Sequence, residues 1–270
     1  MGMCKDPVTQ ELNKRGYNLV KLPRVGIEPL DVLGRDGDSM EKLGSVTEVW
    51  TSSVAAPVAG PPAPAAGIGG QKTSDLDVGI GLKLLGNVLA GLGGGISLPS
   101  LNVAFKQSRK VQFEFANVES SSVTPFALGK FLASGTLDTS NPFVTHYFGN
   151  DETQEYIIFD VLKSDTITVT SKSENGGSVD ADINALTGAL SANVKVTAGA
   201  TGSSQLTFKS TVKATFAFKL FEVFFENGKW VPKGAAADDD LSFAAPVAGV
   251  AGVAEASVVI KPGRMLKIAM

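Results

Sequence analysis

Between residues 206 and 220 apolar and polar side chains alternate one by one. One parity carries Leu206, Phe208, Val212, Ala214, Phe216, Phe218 and Leu220, broken only by Ser210. The other carries Thr207, Lys209, Thr211, Lys213, Thr215 and Lys219, broken by Ala217. A strand turns successive side chains to opposite faces, so this segment predicts a strand with one apolar face and one cationic, hydroxylated face. It exceeds the usual strand of about five or six residues, and also the ~9–11 residues a tilted strand needs to cross a bilayer. Taken alone it reads as a long strand of a twisted soluble sheet.

The rest of the chain repeats the theme in shorter pieces. Residues 111–115 alternate; 156–161 and 165–171 are β-rich, the second setting Ile167 and Val169 against Thr166, Thr168 and Thr170. Residues 194–197 return to strand. Between them, Ile183, Leu186 and Leu190 keep helical spacing within 178–190. Residues 75–101 are apolar but interrupted by glycines, with Lys83 and Asn87 inside. That composition disfavours a spanning helix and fits a short one held against a core, or a segment able to change secondary structure. Upstream, a short helix or turn precedes extended structure at 17–22, then loops marked by Pro23, Pro29 and the glycines at 34–37. Residues 54–70, rich in Pro, Ala and Gly, form a low-complexity loop. The order strand, short helix, strand thus occurs twice, over about 96–118 with its preceding helix and over about 155–220. After Trp230 come an acidic knot at 238–240 and a tail of small and apolar residues from 243 to 270.

With 270 residues the chain can bury a full core. Its net charge of −3 gives no basic field to attract nucleic acid. The first 25 residues differ locally: Lys5, Lys14, Arg15, Lys21 and Arg24 stand against Asp6 and Glu11. Near anionic lipid such residues are each worth about 1 kcal/mol. The single cysteine, Cys4, forms no intramolecular disulfide and fits a reducing compartment. No signal-peptide pattern is expected at the start, so the intact chain is expected in the cytoplasm.

Catalytic readings fail at particular residues. Gly37-Asp38-Ser39 resembles an esterase nucleophile block, but the only histidine, His146, has no aspartate suitably spaced before it. The sequence GIGGQKT at 67–73 lacks both glycines that a phosphate loop requires, and a proline-rich loop precedes it instead of a strand. One Cys and one His make no structural zinc site, and Asp238–Asp240 reads as a solvated acidic loop. Neither an enzyme nor a metal or cofactor is expected.

The segment NKRGYNLVKLPRVGIEPLDVL at 13–33 resembles the opening of the gasdermin pore-forming domain. The order of later elements is similar to that of the short bacterial gasdermins. This resemblance implies an α+β fold: a twisted antiparallel sheet with peripheral short helices, refolding to a transmembrane β-barrel in a pore. It implies a pore-forming domain at 1–233, a protease-sensitive linker at 234–250 and an autoinhibitory peptide at 251–270. The partners implied are an activating protease, membrane lipids and further copies of the chain in a ring. After cleavage the site of action becomes the inner membrane, and the outcome is cell death in antiphage defence. Cys4 matches the family's acylated cysteine, a position for an S-palmitoyl group whose burial is worth ~0.8 kcal/mol per CH₂. Lys5, Lys14 and Arg15 would lie near lipid. Ile167, Val169, Phe208, Val212 and Phe216 would face lipid in the pore. Within the linker, Asp240 would suit a caspase-like protease, and Leu241 or Phe243 one preferring apolar residues; Lys233 just before it would suit a trypsin-like one. The alternative is a soluble β-rich binding or structural protein without membrane activity.

Overall fold

The alternation at 206–220 is the middle of strand β12 (Gly202–Glu226), 25 residues long. A computed structural model of the chain shows it pairing antiparallel with β10 (Thr153–Lys172), 20 residues long. The structure describes residues 12–36, 39–65, 68–70, 72–148, 153–200, 202–226, 229–232, 241–243, 258–260 and 268–269. The two β-rich stretches read separately at 156–161 and 165–171 are one strand. Their apparent break is a bulge: Ser164 faces Ala214 and Thr166 faces Lys209, so residues 210–213 of β12 stand against Asp165 alone. A bulge of this kind bends the strand and adds local twist.

Every other strand of the main sheet is placed from this pair outward. Beyond β12 lie β11 (Val194–Gly199), β1 (Asn18–Arg24) and β13 (Lys229–Pro232), each taking a different length of its edge. Beyond β10 lie β7 (Lys110–Ala116), β8 (Glu119–Ser122) and β2 (Asp31–Asp36). β2 continues into β3 (Ser39–Ser45), whose outer edge carries β16 (Ile268–Ala269), the one parallel pairing among the described strands. Short strands β5 (Ala63–Pro64) and β6 (Leu76–Asp77) edge β8 and β7. Two small pairs lie apart: β4 (Trp50–Ser52) with β9 (Gly135–Leu137), and β14 (Leu241–Phe243) with β15 (Val258–Ile260).

Residues 12–14 are helical, and along the rest of the described chain short helices flank the sheet: α1 (Val46–Val49), α2 (Val78–Gly91), α3 (Leu98–Ala104), α4 (Pro125–Ala133), α5 (Pro142–Phe148) and α6 (Ile183–Thr187). The glycine-rich stretch resolves into two of them. α2 starts on Asp77, whose carboxylate accepts from Gly79 N–H, and α3 starts on Ser97. Between them Gly93 and Gly95 adopt positive φ, which ends the first helix and turns the chain. α6 is shorter than the expected 178–190 because its cap, Asp182, lies within that range.

The glycines at 34–37 predict a loop, yet Gly34 lies inside β2. Glycine is there for space: a β-carbon would stand 2.8 Å from Tyr147 Cδ1 and 2.9 Å from Leu43 Cδ1. The helices α4 and α5 were not anticipated, although Thr124 and Asn141 each cap a helix opened by proline.

Burial explains which strands are legible. In β10 around 156–162 both faces are covered, Tyr156, Ile158 and Val161 by one cluster and Ile157 and Phe159 by another. The second cluster includes Leu128, Phe131 and Leu132 of α4 and Val144 of α5, and Phe159 stacks on Phe221 at 4.1 Å.

Candidate functional site

Past the bulge, the sheet is amphipathic in the way the sequence pattern requires. Four strands lie side by side in the order β7, β10, β12, β11, and their registers align residues into rows. One apolar row is Phe113, Val169, Leu206, Ala198; the next is Phe115, Ile167, Phe208, Val196. On the opposite parity run Gln112, Thr170, Gln205, then Glu114, Thr168, Thr207, Thr197, then Ala116, Thr166, Lys209, Lys195. Facing residues on neighbouring strands share a face, so each row crosses the sheet on one side. Thr168 and Thr207 hydroxyls meet at 3.1 Å across the polar face.

The apolar rows are roofed by the short helices of the same two segments. Leu82, Leu85, Val88 and Leu89 of α2, Leu101 and Ala104 of α3, and Leu186 of α6 form one cluster with Val111, Phe113, Ile167, Val169, Leu206 and Phe208. Phe208 is fully buried. The helices thus cover apolar surface that would otherwise face water, at about 25 cal/mol per Å² buried. α2 approaches β7 and β1 through glycines: Gly81 lies against Val111 and Gly91 against the backbone of Pro23.

Three lysines on these strands are held by acids from outside the four-strand face. Lys172 pairs with Asp75, just before α2, at 2.6 Å; Lys213 pairs with Glu119 of β8; Lys163 pairs with Glu28 of the loop before β2. Further along, a buried polar group ties β1, β8, β10 and β12. Tyr17 donates to Asp160 at 2.7 Å, Ser120 donates to the other oxygen at 2.8 Å, and Lys219 lies 4.8 Å from the Tyr17 ring centre. Sequence reading missed this group, because its members are far apart in the chain, Tyr17 and Asp160 alone by 143 residues. A Tyr17→Phe change is expected to lower stability by about 1–2 kcal/mol, read as a lower urea midpoint at unchanged slope.

The structure brings Ile167, Val169 and Phe208 together under the helices. Phe216 lies elsewhere, stacked on Phe115 at 4.3 Å and clustered with Leu12, Tyr17 and Leu19. Val212 leaves the buried stripe altogether and is 41% exposed, because it sits in the bulge. Lys14 is exposed and Arg15 half-buried, both just ahead of β1. Cys4, Lys5, Lys233 and Asp240 lie outside the described residues. Leu241 and Phe243 are the ends of β14, where Leu241 faces Ile260 and Phe243 faces Val258. Among the described residues no helix is long and apolar enough to cross a membrane.

A family model described as the Bacterial Gasdermin Family matches residues 20–231. The chain belongs to that family. A gasdermin from Vitiosangium sp. is 39% identical over 235 residues, covering 85% of each chain. Another, from a Desulfuromonadales bacterium, is 33% identical over 230 residues, covering 84% of this chain and 85% of the relative. The solved structure of a bacterial gasdermin from Bradyrhizobium tropiciagri superposes with a TM-score of 0.64 at 19% identity, covering 84% of this chain and 90% of that one. The fold expectation, a sheet-rich α+β architecture with short peripheral helices, agrees with that structure. Gasdermins are a pore-forming rather than an enzymatic family.

Proposed function

We propose that this gasdermin is an autoinhibited pore former that cleavage within 234–250 releases to act on the inner membrane. The observation that carries the reading is the four-strand face itself: aligned apolar rows on one side, aligned hydroxyl and lysine rows on the other, with helices α2, α3 and α6 as a removable roof. A β structure enters lipid only when no strand edge is left unpaired, which demands a closed barrel. Copies of the chain arranged in a ring meet that demand. The helices would unwind into strand, apolar rows would turn to lipid, and polar rows to the wet lumen. β10 and β12, at 20 and 25 residues, already exceed the ~9–11 residues needed to span.

The resting state is the second part of the proposal. Residues 1–233 act as the pore-forming domain and 251–270 as the inhibitory peptide. The parallel addition of β16 to the outer edge of β3 supports this, since it occupies an edge that another chain could use. The protease, caspase-like or trypsin-like, cuts between the two. Cys4 carries a palmitoyl group that strengthens membrane attachment, with Lys5, Lys14 and Arg15 nearby to meet anionic headgroups. The biological outcome is death of a phage-infected cell.

Dye release from anionic vesicles tests the central claim. Protein carrying an engineered protease site between residues 234 and 250 is compared before and after cutting. Leakage only after the cut is the expected result. No leakage from either form, with the cut protein unfolding, would make the tail a core element and return the chain to the soluble binding module.

A further inference from the structure

The registers place lysines directly opposite lysines. Lys110 of β7 faces Lys172 of β10, and Lys195 of β11 faces Lys209 of β12. Like charges directly across a strand pair are destabilising, so this arrangement opposes the stability of the resting sheet. At the first pair, Asp75 holds Lys172 at 2.6 Å and the Glu174 carbonyl accepts from Lys110 at 2.9 Å. At the second pair, both lysines are exposed and carry no ion pair among the described residues.

The imbalance extends over the whole polar face. The polar parity of β7, β11, the 166–172 stretch of β10 and the 203–213 stretch of β12 carries Lys110, Lys172, Lys195, Lys209 and Lys213. Its only acid is Glu114. Two of these lysines are paired at rest by acids that lie outside the four strands. Asp75 precedes α2, and Glu119 belongs to β8. A chain with net charge −3 therefore presents, on this one face, five lysines and one glutamate, or four net positive charges.

We infer that this lysine-rich face makes the lumen of the assembled pore anion-selective, so that small anions and acidic solutes pass ahead of cations. The inference rests on the pore reading above and adds which class of solute the pore favours. Wall charge acts over a Debye length, ~10 Å at 0.1 M salt and ~30 Å at 0.01 M, so even a wide pore selects more strongly as salt is lowered. Clefts lined by one sign of charge concentrate the opposite ion by the same physics.

The test is the reversal potential across a planar bilayer holding cut protein under a potassium chloride gradient, repeated at about 0.1 M and about 0.01 M mean salt. The expected potential has the sign set by chloride and grows at the lower salt. Lys195→Glu halves the net charge of the face, Lys195→Glu with Lys209→Glu brings it to zero, and adding Lys110→Glu inverts it. The potential should shrink, vanish and change sign in that order. Conductance in the unchanged protein with no selectivity, or with the sign set by potassium, overturns this inference and leaves the pore reading standing. Absence of any conductance from cut protein overturns both.

Discussion

Replacing Gly91 by alanine is expected to destabilise the protein, while the same change at Gly86, five residues earlier in α2, stabilises it. In a helix interior, alanine is favoured over glycine by about 1 kcal/mol; Gly86 lies in the interior of α2, while Gly91 is its last residue and has at most that gain. Space decides the outcome. At Gly86 a β-carbon would meet only Leu101 Cδ1, at an ordinary 3.5 Å. At Gly91 it would stand 2.8 Å from the Pro23 carbonyl carbon and closer still to its oxygen. That neighbour is backbone of β1, locked to β12 at both ends, and cannot turn aside as a side-chain tip can. Overpacking of this kind costs about 1–3 kcal/mol, more than the helix gain. Urea midpoints of the two variants should therefore move in opposite directions from the wild type. Equal upward shifts would mean that α2 does not lie against Pro23. Because α2 roofs Phe208 and Ile167, Gly91→Ala should also raise vesicle leakage by uncut protein, whereas Gly86→Ala should not.

The same contrast between one covered face and two marks where the sequence was readable. Residues 203–209 alternate in the sequence because α2, α3 and α6 pack on one side and the other side is wet. Residues 156–162 do not, because clusters lie on both faces and every position is apolar except Asp160, which is buried and bonded to Tyr17 and Ser120. The lipid-facing candidates Ile167, Val169 and Phe208 come together as the pattern implied. Val212 does not, since it lies among residues 210–213, which stand against Asp165 alone where the ladder is open, and a single polar residue, Ser210, is the local trace of that insertion. The facing lysines were hidden for a different reason. Lys110 and Lys172 are opposite each other only through the pairing of β7 with β10, and register between distant segments is set by the fold as a whole.

Glu155 is expected to make the protein less stable as pH rises from about 4.5 to about 7. It lies buried on β10, where one carboxyl oxygen, Oε1, has no hydrogen-bond partner among the described residues. Burial is the main cause that pushes its pKa from the ordinary 4.5 up to about 7; the Glu222 charge on the neighbouring strand adds to it, and a hydrogen bond with the Thr153 side chain opposes it. Between those two values the folded chain keeps a proton that the unfolded chain has released. The advantage of the fold is therefore complete below 4.5 and lost as pH climbs through 7, a difference of up to about 3 kcal/mol. Glu155→Gln removes the charge but keeps the shape. It should raise the urea midpoint at about pH 8 and flatten the dependence between about pH 5 and about pH 8. Asp31 provides the opposite case in the same sheet. Burial also pushes its pKa up, but Lys42 stands 2.8 Å away and the Glu28 N–H donates to it at 2.8 Å. Asp31→Asn removes the partner of a half-buried cation and should lower stability at about pH 8, by about 1–3 kcal/mol. Two buried acids of one sheet thus answer neutralisation with opposite signs, and a fall in stability for both would place a partner at Glu155 Oε1.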